Sequence, residues 1–356
     1  MSTLKVEIVA IDGIIPHPNA DKLDLAQVKG WQCVVQKDTF KIGDEAVYFP
    51  IDSILSEEVA DKIFSPEAKV KLLGRRIKTI KLRGAISQGL LVPKSTLGLY
   101  EHLGSDVTEK LGVKKYEPPI PGFQSTKGGM KKKDTHNPNF HRYTSIENIN
   151  NYNKLFSPDD VVVITEKIHG TSARFGWVRK HPKSRFEKIL QFLELLSEWE
   201  FVVGSHNIER KLEDNNVYSN IAKRLNLKTK LEKGEVLYGE IYGPSIQKGY
   251  HYGCKKDEVS FVAFDLMRDE KFLSFPEFRF RCQELNLPKV PVLFSGPLRD
   301  APIMELIKGA SKLYPEQSIR EGFVIKPKYE QSSYIGRKIL KAINPEYLLK
   351  NNTEFH

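Results

Sequence analysis

Val161-Val162-Val163-Ile164-Thr165 is an unbroken run of β-branched residues, and such a run reads as a buried strand. Glu166-Lys167-Ile168-His169-Gly170-Thr171 follows it directly. A lysine at the end of a buried strand is costly unless its charge is paired or its amine is used. Gly170 lets the backbone approach a ligand closely. A lysine so placed suits attack on a nucleotide α-phosphate, after which the nucleotide is held covalently. Lys-x-x-Gly also arises by chance, and lysines beside Gly-Thr turns are common. The chemistry therefore has to be read from what lies downstream.

The chain has 356 residues, enough for two domains or three small ones. Its net charge of +10 favours a polyanionic partner, nucleic acid before an anionic membrane. No apolar run is long enough to span a bilayer, and the strand-like alternation from Leu4 to Ile8 does not read as a signal peptide. Cys33, Cys254 and Cys282 are scattered, without zinc spacing or a disulfide framework. They read as small buried thiols of a reducing compartment, here the cytoplasm.

Five apolar segments punctuate the first hundred residues: Val6–Ile11, Trp31–Val35, Ala46–Ile51, Ile77–Leu82 and Gly89–Pro93. Turn signals such as Pro16-His17-Pro18-Asn19 and Arg83-Gly84 separate them, which suits a small closed barrel of the OB type. His17 and Asp21 have the chemistry of metal ligands, but a turn-stabilising segment is the simpler reading. Residues 112–138 are rich in Pro, Gly and Lys and read as a basic linker. Beyond it, residues 184–200 read as one amphipathic helix, with Ile189, Phe192, Leu193 and Leu196 at helical spacing. Residues 302–314 read as another. Strand-like runs at 201–204, 235–239, 259–264 and 322–325 argue for a large antiparallel sheet.

Polar groups stand at the ends of these strands: Glu240 after Tyr238-Gly239, Asp265 after Phe264, Glu321 before Gly322. Lys338 and Lys341 flank an apolar pair near the end. Taken singly, each has a structural reading: an edge carboxylate, a core aromatic, a cap, a snorkelling lysine. Taken in order (strand-Lys-x-x-Gly, Gly-Glu-x-x-Gly, Phe-Asp, Glu-Gly, basic strand), they resemble the covalent nucleotidyltransferases, the superfamily of DNA ligases, RNA ligases and capping enzymes. The resemblance runs from about Phe140 to Leu349. His169 stands where DNA ligases and capping enzymes usually carry aspartate, and it looks like RNA ligases of the phage and RNA-editing type. The lead-in Phe140-His141-Arg142-Tyr143 resembles those ligases as well.

The resemblance implies roles. Lys167 would form a lysyl-adenylate, its pKa depressed by Lys338, Lys341 and a divalent metal. Glu166 and Ile168 would place the backbone that reads adenine, with Gly170 beside them. Arg174 would contact phosphate or ribose, Glu240 the ribose hydroxyls, and Phe264 would stack on adenine. Glu321 would hold Mg²⁺ or Mn²⁺, and Lys341 would neutralise the α-phosphate. His169, Ser205, His206, Asn207, Arg142 and Lys326 are further candidates for nucleotide or RNA contact. One departure is Ile343, where phage-type ligases carry a second lysine; Lys338, Arg337 or Lys326 is then expected to supply that charge.

Pro16–Leu23 and Lys81–Leu91 resemble the tRNA-binding OB modules of some synthetases, with Lys78, Lys81 and Arg83 suited to a phosphate backbone. No OB module is expected after Leu349, which counts against DNA ligases and capping enzymes. The expectation is an α+β chain: an N-terminal OB-fold β-barrel over 1–111, a basic linker over 112–138, and a nucleotidyltransferase domain over 139–356 with antiparallel sheets and flanking helices. By resemblance to the RNA ligase branch with an N-terminal OB domain, it would be a monomeric, ATP- and Mg²⁺- or Mn²⁺-dependent RNA ligase that does not touch membranes. Its substrate would be RNA ends, presented at nicks in duplex, in RNA repair.

Overall fold

The computed structural model describes residues 4–64, 75–116, 136–182, 187, 193, 197–247 and 249–350. The chain divides into two compact units. The first takes in the described residues up to Tyr116, together with Glu147–Lys154 and the chain from Ala342 onward. The second takes in residues 136–146 and Leu155–Lys341.

In the first unit, β1 (Glu7–Ala10), β2 (Gly13–Pro16), β3 (Leu23–Val28), β4 (Trp31–Gln36) and β5 (Glu45–Phe49) precede β6 (Ser53–Ile54) and helix α1 (Glu57–Ile63). Then come β7 (Thr79–Leu82), β8 (Ala85–Gln88), β9 (Leu90–Pro93), the short helix α2 (Lys94–Leu97), β10 (Lys114–Lys115) and β11 (Glu147–Asn148). All five expected segments contain strands; β2, β3 and β8 lie outside them, β2 as a short Gly-Ile-Ile-Pro stretch and β3 and β8 with polar residues among the apolar ones. Two antiparallel sheets, β1-β5-β9 and β2-β3-β4, enclose an apolar interior that includes Ile8, Val28, Trp31, Val47 and Phe49. Arg83 and Gly84 both have positive φ and turn the β7–β8 hairpin, a geometry that matches strand twist. His17 braces this hairpin through Nε2, 3.0 Å from the Leu82 carbonyl, while its Nδ1 lies 3.1 Å from the Asn19 N–H. Both ring nitrogens are engaged, so His17 holds a turn. Lys114 and Lys115 pair with β6, so the start of the expected linker is strand; residues 117–135 lie outside the described residues.

In the second unit, β12 (Val161–Lys167) and β13 (Thr171–Arg179) are joined by the Ile168-His169-Gly170 turn. β14 (Trp199–Ser205), β15 (Glu209–Lys211), α3 (Val217–Arg224), α4 (Leu227–Lys230), β16 (Glu235–Tyr242), β17 (Ser260–Arg268) and β18 (Lys271–Phe272) follow. The six-stranded sheet β15-β14-β13-β16-β17-β18 is antiparallel throughout, as expected. One face packs on Phe175, Leu237, Phe261, Phe278 and their neighbours. The other carries Phe140, Tyr143, Tyr238 and Met267. Helix α5 (Phe275–Glu284) starts at a capping box between Ser274 and Glu277. Beyond it lie β19 (Val292–Pro297), α6 (Ile303–Ile307), β20 (Gly322–Pro327), β21 (Ser332–Ser333), β22 (Gly336–Arg337) and β23 (Leu340–Ile343), whose last two residues count with the first unit, as does α7 (Pro345–Lys350). In a second sheet β12 lies between β19 and β20, antiparallel to both, and β23 lies on the far side of β20.

Two helix expectations need correction. Trp199 and Glu200 belong to β14, because Trp-Glu-Phe-Val-Val pairs with β13; Ile189, Phe192 and Leu196 lie outside the described residues. The helix expected at 302–314 covers only Ile303–Ile307. Lys308 is extended and Gly309 has a φ of 94°, so the backbone leaves the helix there.

Candidate active site

The two sheets of the second unit meet where β12 turns into β13, and this turn carries Lys167. Lys167 pairs with Gly322 across the β12–β20 ladder, which brings Glu321 alongside. Lys167 Nζ donates to Glu321 Oε1 at 2.6 Å. On the other strand Ser172 pairs with Glu240, and the Gly170 N–H donates to the Glu240 carboxylate. Lys167, Glu240 and Glu321, the first and last 154 residues apart in the chain, thus form one charged cluster.

The protein's own charges act on Lys167 in the direction opposite to that expected of Lys338, Lys341 and a divalent metal. Burial alone would push Lys167 down, but the Glu321 and Glu240 carboxylates outweigh it and hold its pKa above the ordinary lysine value. The amine is therefore protonated as it stands. Lys338, expected to depress Lys167, instead donates to Asp160 at 2.7 Å and lies over the Phe156 ring. Glu240 is pushed up to about 8, first by burial and then by Glu321, against the pull of Lys167 and Gly170. Between the ordinary value of 4.5 and about 8, the folded chain keeps a proton that the unfolded chain has released, so this group makes stability fall as pH rises through that window. Glu240→Gln should flatten the fall, which urea midpoints at about pH 5 and about pH 9 would show.

Glu166 points the other way from Lys167. It is almost fully buried, and its Oε2 accepts the backbone N–H groups of Lys312 and Leu313 at 2.7 and 3.1 Å. Its own N–H donates to the Pro291 carbonyl at 2.9 Å, so it locks the strand end in place. Ile168 is buried beside it. His169 is buried, and burial pushes its ring toward the neutral form. Its N–H donates to the Tyr252 hydroxyl at 2.9 Å, and Nδ1 lies 3.9 Å from Glu321 Oε2. A Cβ on Gly170 would sit 2.2 Å from the Ile241 carbonyl oxygen and 3.0 Å from Glu240 Cγ. Gly170→Ala should accordingly cost about 1–3 kcal/mol and displace Glu240, read by denaturant unfolding.

Phe264 sits at a β-bulge. Tyr238 pairs with Asp265 and Gly239 with Ala263, which leaves Phe264 as the extra residue. Such a bulge re-aims a side chain; the Phe264 ring meets Tyr143 edge-on at 4.8 Å. Arg174 is 1% exposed. It donates through Nε to the Ser205 carbonyl at 2.8 Å and stacks 4.1 Å over Phe140, while one guanidinium nitrogen, NH2, has no partner among the described residues. Burial lowers its pKa to about 10. Ser205, His206 and Asn207 form the turn after β14, closed by the Ile208 N–H to Ser205 Oγ at 3.1 Å. Burial pushes His206 down to about 4, helped by the Arg174 and Arg142 charges. Arg142 is exposed. Lys341 lies on β23, beside β20.

Lys326 is not brought to this cluster. It is buried and donates to Asp265 at 3.0 Å. Arg337 donates to the same oxygen at 2.7 Å, contacts Glu330, and stacks 3.7 Å over Phe272. Of the three cations expected to replace a second lysine, Lys338, Arg337 and Lys326 are thus all committed to protein carboxylates. Sequence reading missed the Asp265 hub and its Tyr143 contact at 2.8 Å. Phe264-Asp265 was the visible signal, but strand pairing alone shows which cations it gathers.

The donors present suit a hard divalent cation. Glu321 Oε2 is buried with no hydrogen-bond partner among the described residues, and Glu240 is the second carboxylate. No group of three or more His, Cys, Asp or Glu side chains converges on a metal position among the described residues. Two carboxylates fit Mg²⁺ or Mn²⁺, which complete their shells with water and substrate phosphates. No described helix is long and apolar enough to cross a membrane.

A family model for RNA ligases matches residues 160–343, and an OB-fold domain model matches residues 5–94. The chain is similar along nearly its whole length to solved structures of Naegleria gruberi RNA ligase. One, a mutant with ATP and Mn, is 26% identical with a TM-score of 0.75, covering 98% of this chain and 99% of that chain. A second, with PPi, is 26% identical with a TM-score of 0.72, covering 98% of each. A third, a mutant with AMP and Mn, is 25% identical with a TM-score of 0.73, again covering 98% of each. No curated protein matches the chain. With the matched model spanning β12 to β23 and the Lys167 cluster inside it, the chain belongs to the RNA ligase family.

Proposed function

We propose that this chain is an ATP-dependent RNA ligase that joins 3′-hydroxyl and 5′-phosphate ends through a lysyl-AMP on Lys167. The observation that carries the reading is the contact of Lys167 with Glu321 at 2.6 Å, at the end of a buried strand, with Glu240 opposite. Three transfers follow. Lys167 Nζ attacks the α-phosphorus of ATP, the bond to the oxygen that bridges the α- and β-phosphates breaks, and pyrophosphate leaves. The adenylyl group passes to an RNA 5′-phosphate and frees Lys167. A 3′-hydroxyl then attacks that activated phosphorus and expels AMP.

Before the first transfer Lys167 has to lose its proton, and Glu321 is the acceptor in contact. A divalent cation held by Glu321 would neutralise phosphate charge and compete with the lysine proton for the Glu321 oxygens. Glu240 in its ionised form accepts from ribose hydroxyls. Phe264 offers a ring face to adenine, and Lys341 offsets charge on the α-phosphate. Arg174, through its unpartnered nitrogen, and the Ser205-His206-Asn207 turn supply further polar contacts. Glu166, Ile168, His169 and Gly170 hold the lysine end in shape. Residues 1–111 would form the OB domain, 112–138 the linker and 139–356 the nucleotidyltransferase domain, acting as a monomer at nicks in RNA repair. The three free cysteines fit a reducing, cytoplasmic setting.

Incubation with α-labelled ATP and Mg²⁺ tests the reading. Label should stay on the chain through denaturation and leave when RNA bearing a 5′-phosphate is added. A chain that takes up no label in Mg²⁺ or Mn²⁺ would refute the mechanism.

A further inference from the structure

A groove of about 330 Å³ lies between α5 and the segment leading into β19, away from the Lys167 cluster. Arg279, Lys289 and Lys312 line it, and no carboxylate does. Four buried or half-buried cations of this unit are neutralised internally, Arg281 on Glu235, Lys326 and Arg337 on Asp265, and Lys338 on Asp160. The three groove cations form no ion pair with a carboxylate among the described residues; Lys312 Nζ donates only to the Val292 carbonyl, at 2.7 Å. The groove floor includes Phe275 and Phe278, which are 7% and 0% exposed. The groove thus exposes little aromatic surface, and its apolar lining of Leu287, Pro288, Val290, Pro291 and Val292 is flanked by three cations.

One wall is fastened to the nucleophile's strand. The Pro291 carbonyl accepts the Glu166 N–H at 2.9 Å, and the Lys312 N–H donates to Glu166 Oε2 at 2.7 Å. The β19 side of the opening and Lys312 are thus tied to the residue that precedes Lys167. We infer that this groove binds the phosphate backbone of the RNA substrate; the inference rests on the RNA-ligase reading above. Unpaired cations displace counterions from phosphates, which gives affinity and register without base specificity.

The test compares the full chain with the double variant Arg279→Glu/Lys289→Glu, and with the milder Arg279→Gln/Lys289→Gln. Both side chains are free of ion pairs among the described residues, and Arg279 is exposed. Binding of a labelled nicked RNA duplex is read by anisotropy across a salt series, and label uptake from ATP is read separately. The charge reversal should weaken RNA binding at least about tenfold and lower the salt slope by about one for each phosphate no longer neutralised, with label uptake unchanged. A control reversal of the exposed Lys223 and Lys256 should have a much smaller effect. RNA affinity and salt slope equal to those of the parent chain in both variants, or equal losses in variant and control, overturn the inference. So does preferential binding of an acidic peptide over RNA. Normal RNA binding by a chain that takes up no label would sink the ligase mechanism and leave the groove standing.

Discussion

Lys167→Ala loses ATP-driven sealing by at least about 10³-fold, the scale on which removing a covalent nucleophile acts. The same variant still joins strands that carry a preformed 5′-adenylate, because that transfer needs no lysine nucleophile. Comparing sealing rates on the two kinds of strand checks both halves of the expectation. The fold survives: Lys167 keeps about a quarter of its side chain exposed (27%), so its pairing with Glu321 is partly screened. Equal loss on both strands would mean that Lys167 holds the site together and does not itself carry the adenylate.

The second large effect lies under the site. Asp265 is fully buried and receives Lys326, Arg337 and the Tyr143 hydroxyl. Burial would raise its pKa, but the two cations hold it below the ordinary carboxylate value. Asp265→Ala leaves two buried cations with one carboxylate fewer, Glu330 remaining near both. Breaking a buried pair from one side costs about 3–5 kcal/mol. Urea unfolding should show that loss. Because Phe264 is the bulge residue next to it, the folded fraction should also bind ATP more weakly. A change below about 1 kcal/mol would mean that Glu330 alone satisfies both cations.

How far the site was legible depended on what kind of fact each residue needed. Lys167, Glu240 and Glu321 stand at strand ends, and strand ends are visible as boundaries between apolar runs and polar residues. Antiparallel pairing then brings such ends together, so order along the chain was enough to group them. Lys326, Arg337 and Lys338 look in sequence like charges free to meet phosphate. Their partners Asp265 and Asp160 are 61 to 178 residues away, a distance no local pattern spans. The protonated state of Lys167 was also hidden, since it follows from two carboxylates closing on the amine. Lys308-Gly309 breaks the expected 302–314 helix, and that break frees the Lys312 and Leu313 N–H groups to cap Glu166.

Two nicked duplexes differing only in whether the 3′-hydroxyl strand is RNA or DNA separate an RNA ligase from a DNA ligase. With ATP and Mg²⁺, the chain should seal the nick with the RNA strand and leave the all-DNA nick open. Sealing of the DNA nick at an equal or higher rate would show that the chain does not select RNA ends.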